Sequence, residues 1–157
     1  MRVGFTGTRD GMTNEQHRAV IAWMKHRRPS EFHWGVCVGA DSDAFDIVSS
    51  APDLSFSPPR TVAHPPERMS MASQADLQFA DEVRPATDYL SRNRNIVDAC
   101  DVLLACPKEA GEERRSGTWA TIRYARRVGR PVVIVWPDGS LHGPPEFIDT
   151  PPPEAAR

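Results

Sequence analysis

Short stretches of small, hydroxylated and charged residues recur in this chain where apolar runs have just ended. Thr6-Gly7-Thr8-Arg9 follows the first run, Gly39-Ala40-Asp41 the second and His64-Pro65-Pro66 the third; residues 107–118, closing on Ser116-Gly117-Thr118, follow the fourth. This composition suits the holding of an anion. Small residues let backbone N–H groups approach a phosphate, and a helix N-terminus adds partial positive charge. Ser116, Gly117 and Thr118 fit that part best; in the plainer reading Gly117 closes a loop and Thr118 caps a helix. Arg92 and Arg94 flank Asn93, and an arginine can make two parallel bonds to a phosphate or carboxylate; otherwise the pair is solvated surface. Asp41 suits ribose hydroxyls or general-base work, and equally an N-cap. His64 is either a site residue or a strand-end residue facing solvent. Tyr89 is expected in the core, with stacking on a base as the alternative. Trp119 covers either a flat ligand or a subunit contact.

The elements that must position these residues alternate. Apolar strands are expected over 3–5, ending at 36–38, over 60–64, over 102–106 and over 131–136. Helices are expected from Thr13, from Gly39-Ala40-Asp41, over 88–100 and over 118–127. Thr13 with Gln16 three residues on is a capping-box pattern. Alternating strands and helices imply parallel pairing through right-handed crossovers. The expected fold is α/β, a Rossmann-like three-layer sandwich with a mostly parallel sheet of at least five strands. In such sheets ligands lie beyond the carboxyl ends of the strands, where strand order reverses. All four stretches above fall on that edge. Residues 66–87 are polar and read as a lid-like excursion.

A chain of 157 residues suits one domain, placed at 1–140, and the clustered prolines among the fifteen mark 141–157 as a Pro-rich tail. The formal net charge of −2 argues against nucleic acid as a partner. Cys37, Cys100 and Cys106 show no C-x-x-C spacing, and Cys37 and Cys106 are expected as buried thiols in a reducing cytosol. The cysteines and histidines lack metal-ligand spacing, so no metal is expected. The absence of a G-x-G-x-x-G and of a Walker lysine speaks against a dinucleotide cofactor or ATP hydrolysis. No apolar run reaches the ~20 residues of a membrane span, and the early first strand leaves no room for a signal peptide.

The stretches "GFTGTRDGMT", "VGADSDAFD", "HPP", "RNRNIVDACDVLLACP" and "RSGTWATIRYARRVGRPVVIV", taken in this order, resemble the SLOG superfamily of Rossmann-like proteins, over about residues 2–138. The match is nearest to small bacterial and phage members. The resemblance implies a nucleotide pocket lined by Gly7, Thr8, Arg9, Gly39, Asp41, Arg92, Arg94, Ser116, Gly117 and Thr118. The superfamily includes LOG phosphoribohydrolases, DNA-processing protein A and sensors of nucleotide-derived signals. In LOG enzymes a glutamate follows the G-T pair and assists N-glycosidic cleavage; here that position is Thr121, which has no carboxylate. Asp41 or Asp98 would have to stand in. The expectation is therefore binding of a nucleotide or nucleotide-derived small molecule by a cytoplasmic protein, without a cofactor. The alternatives are N-glycosidic hydrolysis or transfer and single-stranded nucleic-acid binding. A homo-oligomer is expected from an exposed aromatic helix carrying Trp119.

Overall fold

A computed structural model describes residues 1–50 and 58–149. The elements run β1 (Arg2–Gly7), α1 (Asn14–Arg27), β2 (Glu31–Trp34), α2 (Ala40–Ser50), β3 (Arg60–Ala63), α3 (Met71–Leu77), β4 (Glu82–Val83), α4 (Tyr89–Ala99), β5 (Val102–Cys106), α5 (Gly117–Arg127), β6 (Val132–Val135), β7 (Leu141–His142) and α6 (Pro145–Ile148). The strands form one sheet in the order β4-β3-β2-β1-β5-β6-β7. All pairings are parallel except β6 with β7. The architecture is the three-layer, mostly parallel α/β sandwich that the alternation of apolar runs implies.

Strand side chains alternate between two buried layers. Phe5, Phe32, Trp34 and Leu104 join Val20, Trp23, Met24 and Phe45 of α1 and α2 on one face. Leu103, Ala105 and Ile134 join Ile96, Trp119 and Ile122 of α4 and α5 on the other. Two central strands, β5 and β6, are buried throughout, as parallel strands covered on both faces must be. Helix α1 starts where the sequence signals it. The Thr13 hydroxyl accepts from the Gln16 amide, and the Gln16 side chain accepts from the Thr13 amide, completing the capping box. The buried Gln16 amide group also donates to the Pro107 and Val135 carbonyls, both at 2.9 Å, tying α1 to the far side of the sheet.

The structure departs from the sequence reading at three places. The second strand ends at Trp34, not at Val38, because Val36 turns the backbone to a φ of +58°. Residues 66–87 contain α3 and the short edge strand β4, with Pro66 bridged to Thr87. The segment assigned to a tail from 141 onward begins with β7, hydrogen-bonded to β6, and α6. Phe147 and Ile148 pack on the α1 face, and the Trp23 indole N–H donates to the Phe147 carbonyl at 2.8 Å. Residues 150–157 lie outside the described residues. No described helix is long and apolar enough to cross a membrane.

Candidate functional site

Strand order reverses between β1 and β5, the position where the chain's outward and return paths diverge. Their ends are level: Gly7 pairs with Cys106, and the Thr8 amide donates to the Cys106 carbonyl at 3.0 Å. Above these ends lies a cavity of about 690 Å³. Thr6, Gly7, Thr8 and Arg9 line it from the end of β1, and Gly35, Cys37 and Asp41 from the β2–α2 side. Tyr89, Arg92, Asn93 and Ile96 come from α4. Lys108, Glu109, Glu113 and Arg115 come from the β5–α5 loop, and Ser116, Gly117, Thr118 and Trp119 from the start of α5.

Close backbone approach fixes the β1 and β2 side. A Cβ on Gly7 would sit 2.5 Å from that of Ala40. Gly39 has a φ of +83°, and a side chain there would overlap the Arg9 carbonyl. The Ala40 amide donates to the Thr8 carbonyl at 2.9 Å, so the first turn of α2 rests on the loop after β1. That contact brings Asp41, only 6 % exposed, to the cavity wall. The Cys37 amide donates to its carboxylate at 3.2 Å. Burial pushes the Asp41 carboxyl up to about 6; Arg92, the Cys37 and Gly35 amides and Arg9 pull in the other direction and only partly offset it.

Arg92 is 4 % exposed although it carries a full charge. Its guanidinium donates to the Gly35 carbonyl, to the His64 carbonyl at 3.5 Å, to the Asn93 side chain at 2.8 Å and to Cys37 Sγ at 3.4 Å. Gly35 is required here, since a Cβ would lie 2.5 Å from the Arg92 guanidinium. Tyr89 stands at the mouth, 44 % exposed, with Arg9 at 5.2 Å and Arg92 at 5.3 Å from its ring centre. Both are cation–π distances.

The opposite wall is the start of α5. Ser116 is the N-cap, and its hydroxyl accepts from the Trp119 amide at 3.3 Å. The amides of Gly117 and Thr118 open the helix and have no intrahelical acceptor. Gly117 leaves the space in front of them open, with nothing within 4 Å of where a Cβ would stand. A phosphate or carboxylate oxygen placed there would meet free N–H groups and the positive end of the helix dipole.

Of the residues singled out from sequence, Gly7, Thr8, Arg9, Asp41, Arg92, Ser116, Gly117 and Thr118 therefore line one cavity. The others do not. Gly39 lies behind it and works through its backbone. His64 is buried, its Nε2 2.9 Å from His33 Nδ1, and borders a separate recess together with Asp98. Burial pushes the His64 imidazole down to about 3. Arg94 is exposed and lies over the Tyr124 ring, while Asp98 accepts from the Tyr124 hydroxyl at 2.9 Å. Thr121 is buried and donates to the Gly117 carbonyl at 2.9 Å. The carboxylates of the cavity are Asp41, Glu109 and Glu113.

Three environments correct the sequence reading. Tyr89 is a rim residue rather than core, because helix α4 begins there and only its later turns reach the sheet. Trp119 is buried against Trp136, so the exposed aromatic face invoked for self-association is absent. Cys37 is half-buried at the cavity, whereas Cys106 is fully buried and burial drives its thiol far up. Gly35 and Cys37 were not visible as site residues; their one signal was the glycine interrupting an apolar run. Among the described residues no group of three or more His, Cys, Asp or Glu side chains could hold a metal ion.

No family model and no curated protein matches the sequence. Among solved structures, DNA processing protein A from Streptococcus pneumoniae is similar at 17 % identity with a TM-score of 0.64, over 85 % of this chain and 49 % of that one. This chain thus spans about half of that protein's length. TM1055, a structural genomics target, is similar at 16 % identity with a TM-score of 0.57, over 84 % of this chain and 72 % of that one. What is shared is the fold, a Rossmann-like three-layer α/β sandwich.

Proposed function

We propose that this chain binds a nucleotide or a nucleotide-derived small molecule in the cavity above β1 and β5. The observation that carries the reading is the pairing of two features in one space: open amides at the start of α5 and a buried carboxyl at Asp41. The amides of Gly117 and Thr118, with Arg9 and Arg115 on the rim, suit a phosphate group. The Asp41 carboxylate, set back on the other wall, suits a hydroxyl pair such as that of ribose. A volume of about 690 Å³ fits a ligand of nucleotide size. The SLOG resemblance and the fold shared with DNA processing protein A favour the same class of ligand.

The test is mass spectrometry of small molecules released from the purified protein, followed by calorimetric titration with AMP, ADP-ribose and adenosine. AMP and ADP-ribose should bind and adenosine should bind at least tenfold more weakly. Equal affinity for adenosine would remove the anion site from the reading. No binding of any nucleotide, with no retained molecule, would remove the reading itself.

A second reading, N-glycosidic hydrolysis of a nucleoside monophosphate, draws on Asp41 alone. A cavity carboxyl raised to about 6 can give and take a proton near neutrality. Thr121 offers no carboxylate, and Glu109 and Glu113 are exposed, so this chemistry would fall to the buried Asp41. Chromatography for free base after incubation with AMP separates the readings: base release abolished by Asp41→Asn supports hydrolysis, and intact AMP supports capture.

A further inference from the structure

Arginine in an anion site is ordinarily expected to grip the ligand. Arg92 is differently placed from Arg9 and Arg115. It is almost wholly enclosed, and its N–H groups already point at protein acceptors on three segments: the Gly35 carbonyl and Cys37 Sγ of one turn, the His64 carbonyl after β3, and the Asn93 side chain of its own helix. Gly35 leaves the space that the guanidinium occupies. The next residue, Val36, is buried and held at a φ of +58°, a conformation that β-branched residues rarely adopt. The residue after that, Cys37, directs its amide to the Asp41 carboxylate. A strained turn thus has a buried cation on one side and a buried carboxyl on the other. Asp41 and Arg92 form no direct ion pair among the described residues; the turn joins them.

We propose that Arg92 is a positioning residue that clamps the turn at residues 35–37 and thereby presents Asp41 to the cavity, leaving the ligand's anion to Arg9, Arg115 and the start of α5. This rests on the reading of the cavity as a nucleotide site, but its core claim concerns the empty protein. The groups acting on Asp41 are Arg92 from α4, Arg9 from the loop after β1, the Cys37 and Gly35 backbone of the turn before α2, and the Cys106 thiol at the end of β5. Of the two cations, Arg92 has the larger influence on the carboxyl.

The experiment is a carbon-13 NMR titration of the Asp41 carboxyl in the ligand-free full chain, for the parent protein and for Arg92→Met, Arg92→Lys, Gly35→Ala and Arg9→Met. AMP affinity is measured on the same samples. Arg92→Met should raise the Asp41 midpoint by about one pH unit. Gly35→Ala should raise it too, because it displaces the guanidinium without removing it. Arg92→Lys should recover only part of the parent value, since an ammonium cannot reproduce the fork. Arg9→Met should move the midpoint least and weaken AMP at every pH. An unmoved Asp41 midpoint in both Arg92→Met and Gly35→Ala overturns the proposal. So does an AMP loss in Arg92→Met that matches Arg9→Met at every pH. If Arg92→Met does not fold, Gly35→Ala and Arg92→Lys decide by the same midpoint. If the parent protein binds no AMP, the function reading fails while the titration still judges Arg92.

Discussion

The two walls of the cavity are built on opposite principles. The wall from β1, β2 and α4 is locked. Its glycines sit against the Ala40 methyl, the Arg92 guanidinium or the Arg9 backbone, its carboxyl and its arginine are buried, and its turn holds a strained valine. The wall from the β5–α5 loop is open. Residues 108–115 are exposed, and the Lys108–Asp10 ion pair at 2.9 Å lies between side chains that are 62 % and 63 % exposed. The locked wall fixes polar groups where water cannot reorganise around them, so it can discriminate. The open wall supplies amides and exposed charges, so it can admit and hold an anion. Changes on the locked wall should therefore be felt by the whole fold, and changes on the open wall mainly by the ligand.

The largest effect should come from Gly39→Ala. A side chain there needs both a left-handed backbone and the space held by the Arg9 carbonyl. A loss of about 3 kcal/mol or more is expected in urea unfolding. A loss as small as that of a surface change would mean that the locked wall yields easily.

Asp41→Asn should have the opposite sign. Because the folded-state carboxyl holds its proton up to about 6, the folded protein binds more protons than the unfolded chain between roughly pH 4 and 6. Stability from this group is therefore greatest at low pH and declines until pH passes 6. Asn removes that decline while keeping an acceptor for the Cys37 amide. The variant should be more stable than the parent by about 3 kcal/mol at pH 8, with no gain near pH 4, and should bind AMP more weakly. Unfolding curves at the two pH values check the sign.

On the open wall, Ser116→Ala removes the acceptor for the Trp119 amide and should cost about 1 kcal/mol. It should weaken AMP by more than its effect on stability, because it loosens the start of α5. Lys108→Met should be the mildest. Its ion pair is solvent-screened, so the melting temperature should barely move, and any change in AMP affinity should vanish at high salt. A large stability loss from Lys108→Met would erase the contrast between the walls.

Much of this was legible locally. The Thr13–Gln16 capping box, the apolar runs of β5 and β6 and the Ser116 cap are decided by residues within one turn or one strand of each other. Patterning of that kind is enough to imply a parallel sheet and to assign Thr8, Asp41 and Ser116 to one edge. The length of β2 was not legible, because an apolar run looks the same whether Val36 continues a strand or reverses it. Arg92 and Arg94 are separated by a single residue and look interchangeable, yet one is enclosed beside Gly35 and the other lies outside over Tyr124.

By itself, then, the order of residues determined the alternating elements, the sheet edge at which polar residues gather and the helix starts that can meet an anion. These follow from short-range periodicity and capping. Only the tertiary structure decided which charges are buried, which arginine is enclosed at the cavity wall, and that His64, Arg94 and Asp98 lie elsewhere. Burial and partner choice depend on contacts between segments tens of residues apart, such as Arg92 with Gly35, and no local pattern encodes that distance.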